Sequence, residues 1–403
     1  MGRHSKAEKR RRRKRRQTVV SIIEIVALAA LAAVCAVLLH GVNQPREPAA
    51  TPTPLPVESP TPEPTAEPTA APTPEPTPEP TPEPTPEPVS IVLTAVGDCT
   101  LGGDMRGPSE ARFADMVLAE DGSVDYGYCF RNVAPIFEAD DITLVNLEVV
   151  LTDSSDFLQR EDKIYIMRGK PEYVNMLTCS SVEVCNIANN HMTDFGDAGI
   201  AQMARLLEEN GLRFCGYGYT CTMDVKGVRF GFLGFNYWTT PQDEFESAVK
   251  TMRELCDVLV VSIHWGTELE YYATEKQQTW GRLAVDLGAD LVVGHHPHIV
   301  NGIEEYNGVN IVYSLGNFCF GGKSNPADMD TFIYQHEFVV NPMSGKLLDS
   351  GFTVIPCRIT SDPNGVSNNY QPTPIEDPDG RKRVFDKIRL YSQHLPNPVK
   401  LTD

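Results

Sequence analysis

The chain has 403 residues, with 54 Asp and Glu against 35 Lys and Arg and a formal charge of −19. Ten of the basic residues crowd into the first 17 positions, so everything beyond them is strongly acidic and lacks the basic footprint that nucleic-acid binding requires. Length alone allows two domains, but the composition of the N-terminal part denies it a hydrophobic core.

Residues 1–17 form a basic tail, and residues 18–39 are mostly apolar, with Glu24 the one charged residue. Twenty-two residues at about 1.5 Å each reach roughly 33 Å, enough to cross the hydrocarbon core of a bilayer. The basic flank predicts a single-pass membrane anchor, with its N-terminus cytoplasmic and the C-terminal domain extracellular. A cleaved signal peptide is the rival reading, but the apolar run is long and no small-x-small site closes it. Residues 40–89 form a linker rich in Pro, Thr and Glu, and 45–88 hold 18 of the 32 prolines. Proline fixes φ and removes amide donors, so this stretch is predicted to be a disordered, extended stalk. At about 3.1 Å per residue it reaches on the order of 140 Å.

From residue 90 onward, short apolar strands alternate with amphipathic helices. Strands are predicted at 91–96, 142–147, 182–187, 228–235, 258–263, 291–293 and 309–315. Ile200, Met203, Ala204 and Leu207 share one helical face, as do Trp280, Leu283, Ala284 and Leu287; each pattern ends at a glycine. This alternation predicts an α/β domain over 90–340. Strands at 331–340 and 352–359 and a helix at 384–394 make 341–403 its C-terminal completion. Nine cysteines lie outside the anchor, without a C-x-x-C pair. The spacings of Cys179/Cys185 and Cys215/Cys221 permit bridges, yet a domain this large does not need them, and mostly buried thiols are expected.

Polar residues gather where the predicted strands end: Gly97-Asp98, then Asn146-Leu147-Glu148, then Asn189-Asn190-His191 and Asp194. His264-Trp265-Gly266-Thr267-Glu268 and Ser314-Leu315-Gly316-Asn317 follow the same rule. The densest cluster is Gly294-His295-His296-Pro297-His298, in a chain with only nine histidines. Carboxylate, amide and imidazole groups on one sheet edge suit borderline divalent metals such as Zn²⁺, Mn²⁺ or Fe²⁺.

The blocks VGDCTLGGD, NLEVVLT, NIANNHMTDFG, SIHWGTELE, GADLVVGHHPHIV and YSLGNF, in this order, resemble the bacterial capsule-synthesis CapA family associated with poly-γ-glutamate. That family looks like a branch of the calcineurin-like metallophosphoesterases. The resemblance implies a sandwich of two β-sheets flanked by helices and a centre for one or two Mn, Zn or Fe ions. By position, Asp98, Glu148, Asn190, His264, His296 and His298 match metal ligands, with Glu148 in the bridging place. His191 matches a general acid, oriented by Asp194. His295, Trp265, Glu268 and Asn317 are candidate substrate-binding residues. Thr100 departs from the larger group, which usually carries a histidine there, and leaves one metal position with a single imidazole. Two functions follow from the resemblance. One is a metal-dependent hydrolase of phosphoesters or of another bond that an activated water attacks. The other is a non-catalytic polymer-binding, assembly or export component. The implied partners are the membrane, other capsule-synthesis membrane proteins and an anionic polymer.

Overall fold

Two twisted sheets organise the residues described by the computed structural model, 87–159 and 163–402. The basic tail, the predicted anchor and nearly all of the stalk lie outside the described residues. Within the described residues, no helix is long and apolar enough to cross a membrane.

The first sheet has eight strands. Its central strand, Val89–Thr100, pairs in parallel with Ile142–Leu147, which pairs with Val184–Asn186 and through it with Arg213–Cys215. On the other side it runs antiparallel to Asp330–Asn341, itself paired with the long strand Lys346–Arg358. The second sheet has six strands, with Val228–Asn236, Val258–His264, Leu291–His295 and Val309–Val312 parallel at its centre. A small three-stranded sheet joins Gly103–Asp104, Met167–Gly169 and Val150–Leu151.

Period-two alternation explains the layering. Leu93, Ala95, Leu144, Phe332 and Tyr334 of the first sheet share one buried cluster with Phe230, Phe232, Val258, Val260, Leu291 and Val293 of the second. The intervening residues face outward. Val145 and Cys185 pack on Phe113, Met203 and Leu207 of the helices Ser109–Met116 and Gly196–Glu209. Leu259, Val261 and Val292 pack on Val249, Met252, Trp280 and Ala284 of Gln242–Arg253 and Glu275–Asp286. The fold is thus mixed α/β, with two facing sheets covered by helices. The nine cysteines of the described residues are all free, and six are buried.

The predicted strand 309–315 stops at Val312, and a separate strand, Asn317–Phe320, joins the first sheet beside Asp98. Gly316, at φ 79°, makes that turn. The terminal helix begins earlier than predicted, at Pro378–Ser392, because the Asp377 side chain accepts from the Gly380 amide and caps it.

Candidate metal centre

The two sheets bring their polar strand ends together. In the first, Asp98 registers with Asn146, and Asn146 with Asn186. In the second, His264 registers with both Asn236 and His295. The carboxyl ends of parallel strands are where α/β sheets place their sites, because loops leave the scaffold there.

Three potential ligand groups converge on His264. Its Nε2 lies 2.9 Å from Asn190 Oδ1, 3.0 Å from His296 Nδ1 and 3.5 Å from Glu148 Oε1. A second group adjoins it: His298 Nδ1 is 3.1 Å from Asp98 Oδ2, and His298 Nε2 is 3.9 Å from Glu148 Oε1. Glu148 therefore stands between the two groups. Donor atoms of Glu148, His296 and His298 all lie within 4.8 Å of one another. Asp98 is oriented by Asn146, which donates to Oδ1 at 2.8 Å, and by the His296 amide at 3.3 Å.

The histidine loop is held in a conformation that L-residues seldom adopt: φ is 97° at His296 and 59° at His298. Gly294 precedes it because a Cβ there would stand 2.2 Å from the Tyr313 carbonyl oxygen and 2.4 Å from the Trp265 indole nitrogen. Asn317 braces the far end, pairing with His298 Nδ1 at 2.9 Å and donating to the His298 carbonyl at 3.0 Å.

Electrostatically the centre is a buried acidic hole. Glu148 is 1 % exposed, and neither carboxylate oxygen has a hydrogen-bond partner within the described residues. Burial pushes its carboxyl well above the usual range, opposed by His298 and reinforced by the charge of Asp98. For Asp98 burial acts in the same sense, but contact with His295 and His298 outweighs it and holds the carboxyl well below the usual range. Burial lowers His264 strongly and takes His296 down to about 3, helped by neighbouring imidazoles. His298 moves the other way: burial opposes its charge, but Glu148 and Asp98 raise it to about 9. The neutral imidazoles of His264 and His296 beside these carboxylates form a donor set that a divalent cation matches.

His191 lies beside this cluster, its Nδ1 2.8 Å from Asp194 Oδ2. Burial lowers the His191 pKa, and Asp194 pulls it back upward. A narrow cleft opens on the centre, lined by Glu148, His191, Glu268, His298, Asn317, Phe320, Tyr165 and Lys323. Glu268 thus sits at the rim, exposed.

Two of the candidate substrate-binding residues lie elsewhere. Strand alternation turns Trp265 to the outer face, where it is wholly buried and its indole N–H donates to the Tyr313 carbonyl at 2.9 Å. The same alternation turns His295 inward between the sheets. It is 1 % exposed, with Nδ1 3.5 Å from Asp98 Oδ1, behind that carboxylate and away from the cleft. An aromatic that does border the centre is Trp238, 48 % exposed, its ring 4.6 Å from that of His296. Nothing in the local sequence marks Trp238. Lys163 also escaped sequence reasoning, and Asn146 was singled out only as part of the polar strand end Asn146-Leu147-Glu148, without a role. Thr100 turns its hydroxyl to the Glu148 backbone carbonyl at 3.2 Å.

Comparison with known proteins places this geometry in a family. The family model described as bacterial capsule synthesis protein PGA_cap matches residues 92–322. The PGA biosynthesis protein CapA of Bacillus subtilis (strain 168) is 31% identical over 248 residues, which are 56% of this chain and 62% of the relative. The capsule biosynthesis protein CapA of Bacillus anthracis is 30% identical over 258 residues, 57% of this chain and 60% of the relative. The chain therefore matches less than two thirds of either relative's length. Among solved structures, a phosphatase from Mycoplasma pneumoniae aligns with 75% of this chain and 100% of its own, at 13% identity and a TM-score of 0.42. The family model spans more than half of the chain and every candidate ligand from Asp98 to His298, and the protein belongs to the bacterial capsule synthesis family PGA_cap.

Proposed function

We propose that this protein is a metal-dependent hydrolase of the calcineurin-like metallophosphoesterase type. In this reading it is held on the outer face of the membrane by residues 18–39 and acts in poly-γ-glutamate or capsule biosynthesis. The names of its relatives support the pathway. The observation that carries the chemistry is Glu148, a buried carboxylate whose two oxygens make no hydrogen bond, beside the imidazoles of His264, His296 and His298. An isolated buried charge is costly, and a cation is the partner that these donors fit.

Asn190, His264, His296 and Glu148 would hold one divalent ion, Mn, Zn or Fe; Asp98, His298 and Glu148 would hold a second. An ion in this place supplies positive charge that lowers the pKa of a water and polarises a phosphoryl or acyl oxygen. The chain's own groups do the rest. Asp194 keeps the His191 ring turned with Nδ1 toward the protein, so Nε2 is the end that gives a proton to a departing oxygen. Tyr165 and Lys323 at the cleft mouth suit an anionic substrate such as a phosphoester or a polymer terminus. Through this cleft the protein would meet an anionic polymer and, at the membrane, other capsule-synthesis proteins.

One observation favours a second reading, a polymer-binding or assembly component. Thr100 offers its hydroxyl to a backbone carbonyl and leaves the second ion position with one imidazole. Elemental analysis separates the two. Purified protein is expected to carry one or two Mn, Zn or Fe ions per chain, and His296→Ala with His298→Ala none. A wild-type chain empty after incubation with all three metals favours assembly instead.

A further inference from the structure

Asp194 is 1 % exposed, and a carboxylate so enclosed needs a counter-charge. One oxygen accepts the Met167 amide at 2.9 Å and lies 2.8 Å from His191 Nδ1. The other stands 2.8 Å from Lys163 Nζ. The same ammonium donates to the backbone carbonyl of Asn190. The Lys163 side chain is itself 13% exposed, so its charge is spent inside the protein.

One lysine therefore touches both supports of the candidate acid: the residue that precedes His191 and the carboxylate that holds its ring. The backbone of Lys163 is anchored in turn. Arg106 donates to the carbonyls of Lys163 and Ile164, and Asp104 Oδ1 accepts from the Ile166 amide at 2.9 Å. The Met105 amide donates to the Ile166 carbonyl at 3.0 Å. Those three residues follow the turn that leaves the Asp98 strand. A contact path thus runs from the end of that strand, through Lys163, to Asn190 and Asp194.

We propose that Lys163 is a positioning residue, which fixes Asn190 and, through Asp194, the His191 ring. This rests on the reading of His191 as the group that handles the substrate's proton. An ammonium with three donors can serve a carbonyl and a carboxylate at once, and its charge compensates a carboxylate that water does not reach. Without it, Asp194 loses the partner of its second oxygen and rotates, and the His191 ring is no longer held in one orientation.

The test uses the full chain as wild type, Lys163→Met and Lys163→Arg, each with ¹⁵N-labelled histidine and saturating Zn²⁺, which is diamagnetic and leaves the ring signals observable. Ring ¹⁵N spectra are recorded beside hydrolysis of bis(4-nitrophenyl) phosphate. Lys163→Met is expected to replace the single His191 ring signal by shifted or multiple signals. Its kcat should fall on the order of 10–100-fold with little change in KM, the range for loss of a group supporting a site residue. Lys163→Arg, which keeps the charge, should retain one His191 signal. If Lys163→Met does not fold, Lys163→Gln is read in the same way. An unchanged His191 spectrum in the uncharged variant overturns the proposal. A wild-type protein that leaves the phosphodiester intact counts against the hydrolase reading alone, because the spectra still decide the role of Lys163.

Discussion

His296 combines two demands that conflict at the residue scale. Its imidazole must reach Nε2 of His264, 3.0 Å away, while its backbone sits at φ 97°, where a Cβ is unwelcome. A strained residue persists only where its surroundings enforce it, and strain of this kind gathers at functional sites. Glycine relieves the backbone but supplies no ligand. His296→Gly and His296→Ala should therefore both lose metal, yet differ in stability when metal is chelated. The glycine variant is expected to be more stable than the alanine variant by about 1 kcal/mol, set by the usual cost of left-handed backbone. Urea titration in EDTA measures the difference, and equal stability would remove strain from the account of this loop. In the sequence His296 stood out as a candidate ligand through the histidine cluster and the family resemblance. Its strain was not legible, because nothing in one-dimensional spacing reveals a positive φ at a residue other than glycine.

At the scale of elements, buried strands were legible and half-exposed elements were not. The run 258–263 reads as a strand because every residue of Val258–His264 is buried. The outer half of Lys346–Arg358 is mostly exposed and gave no apolar signal, so only 352–359 was predicted. Gln242–Arg253 went unread because charged residues surround Phe245, Val249 and Met252, although their spacing is helical. That Trp265 and His295 face away from the cleft was not legible for a related reason: block motifs locate residues along the chain, whereas strand alternation decides which face each one takes.

Elements also carry a titration at the sheet edge away from the centre. Glu183, just before the strand Val184–Asn186, accepts the Thr143 amide at 2.8 Å. Burial raises its pKa from 4.5 to about 7 despite that bond, and nearby Asp140 rises to about 6 for the same reason. The folded state then binds protons that the unfolded chain releases, so stability falls as pH rises from about 4.5 to about 7 and is level above. Glu183→Gln keeps an acceptor for Thr143 and removes the charge. Denaturation midpoints followed between pH 5 and 7 should drop less steeply in this variant than in wild type. A parallel pair of curves would show that Glu183 does not supply the slope.

For the whole molecule, the decisive feature is that the candidate ligands come from both sheets. Asp98 lies near the end of a strand of the first sheet and Glu148 and Asn190 follow two others; His264 ends a strand of the second sheet, and His296 and His298 follow another. An ion held between them would add to the apolar packing and to the few polar contacts, such as Asn190 with His264 and the His296 amide with Asp98, through which the two layers meet, and it would bind only the folded chain. At a hundredfold excess over Kd, such binding adds about 2.7 kcal/mol to stability. Saturating Mn²⁺ should therefore raise Tm by several degrees, and EDTA should reverse the rise. Glu148→Gln gives this prediction its sharper form. In EDTA the variant should melt above wild type, because it lacks a buried carboxylate that burial and Asp98 both disfavour in its charged form. In Mn²⁺ the order should invert, since the group joining the two sets of donors has lost its charge. Inversion would tie the instability of the metal-free centre to its affinity for the ion. Identical melting of wild type in Mn²⁺ and in EDTA would mean that these residues do not act together as a metal centre.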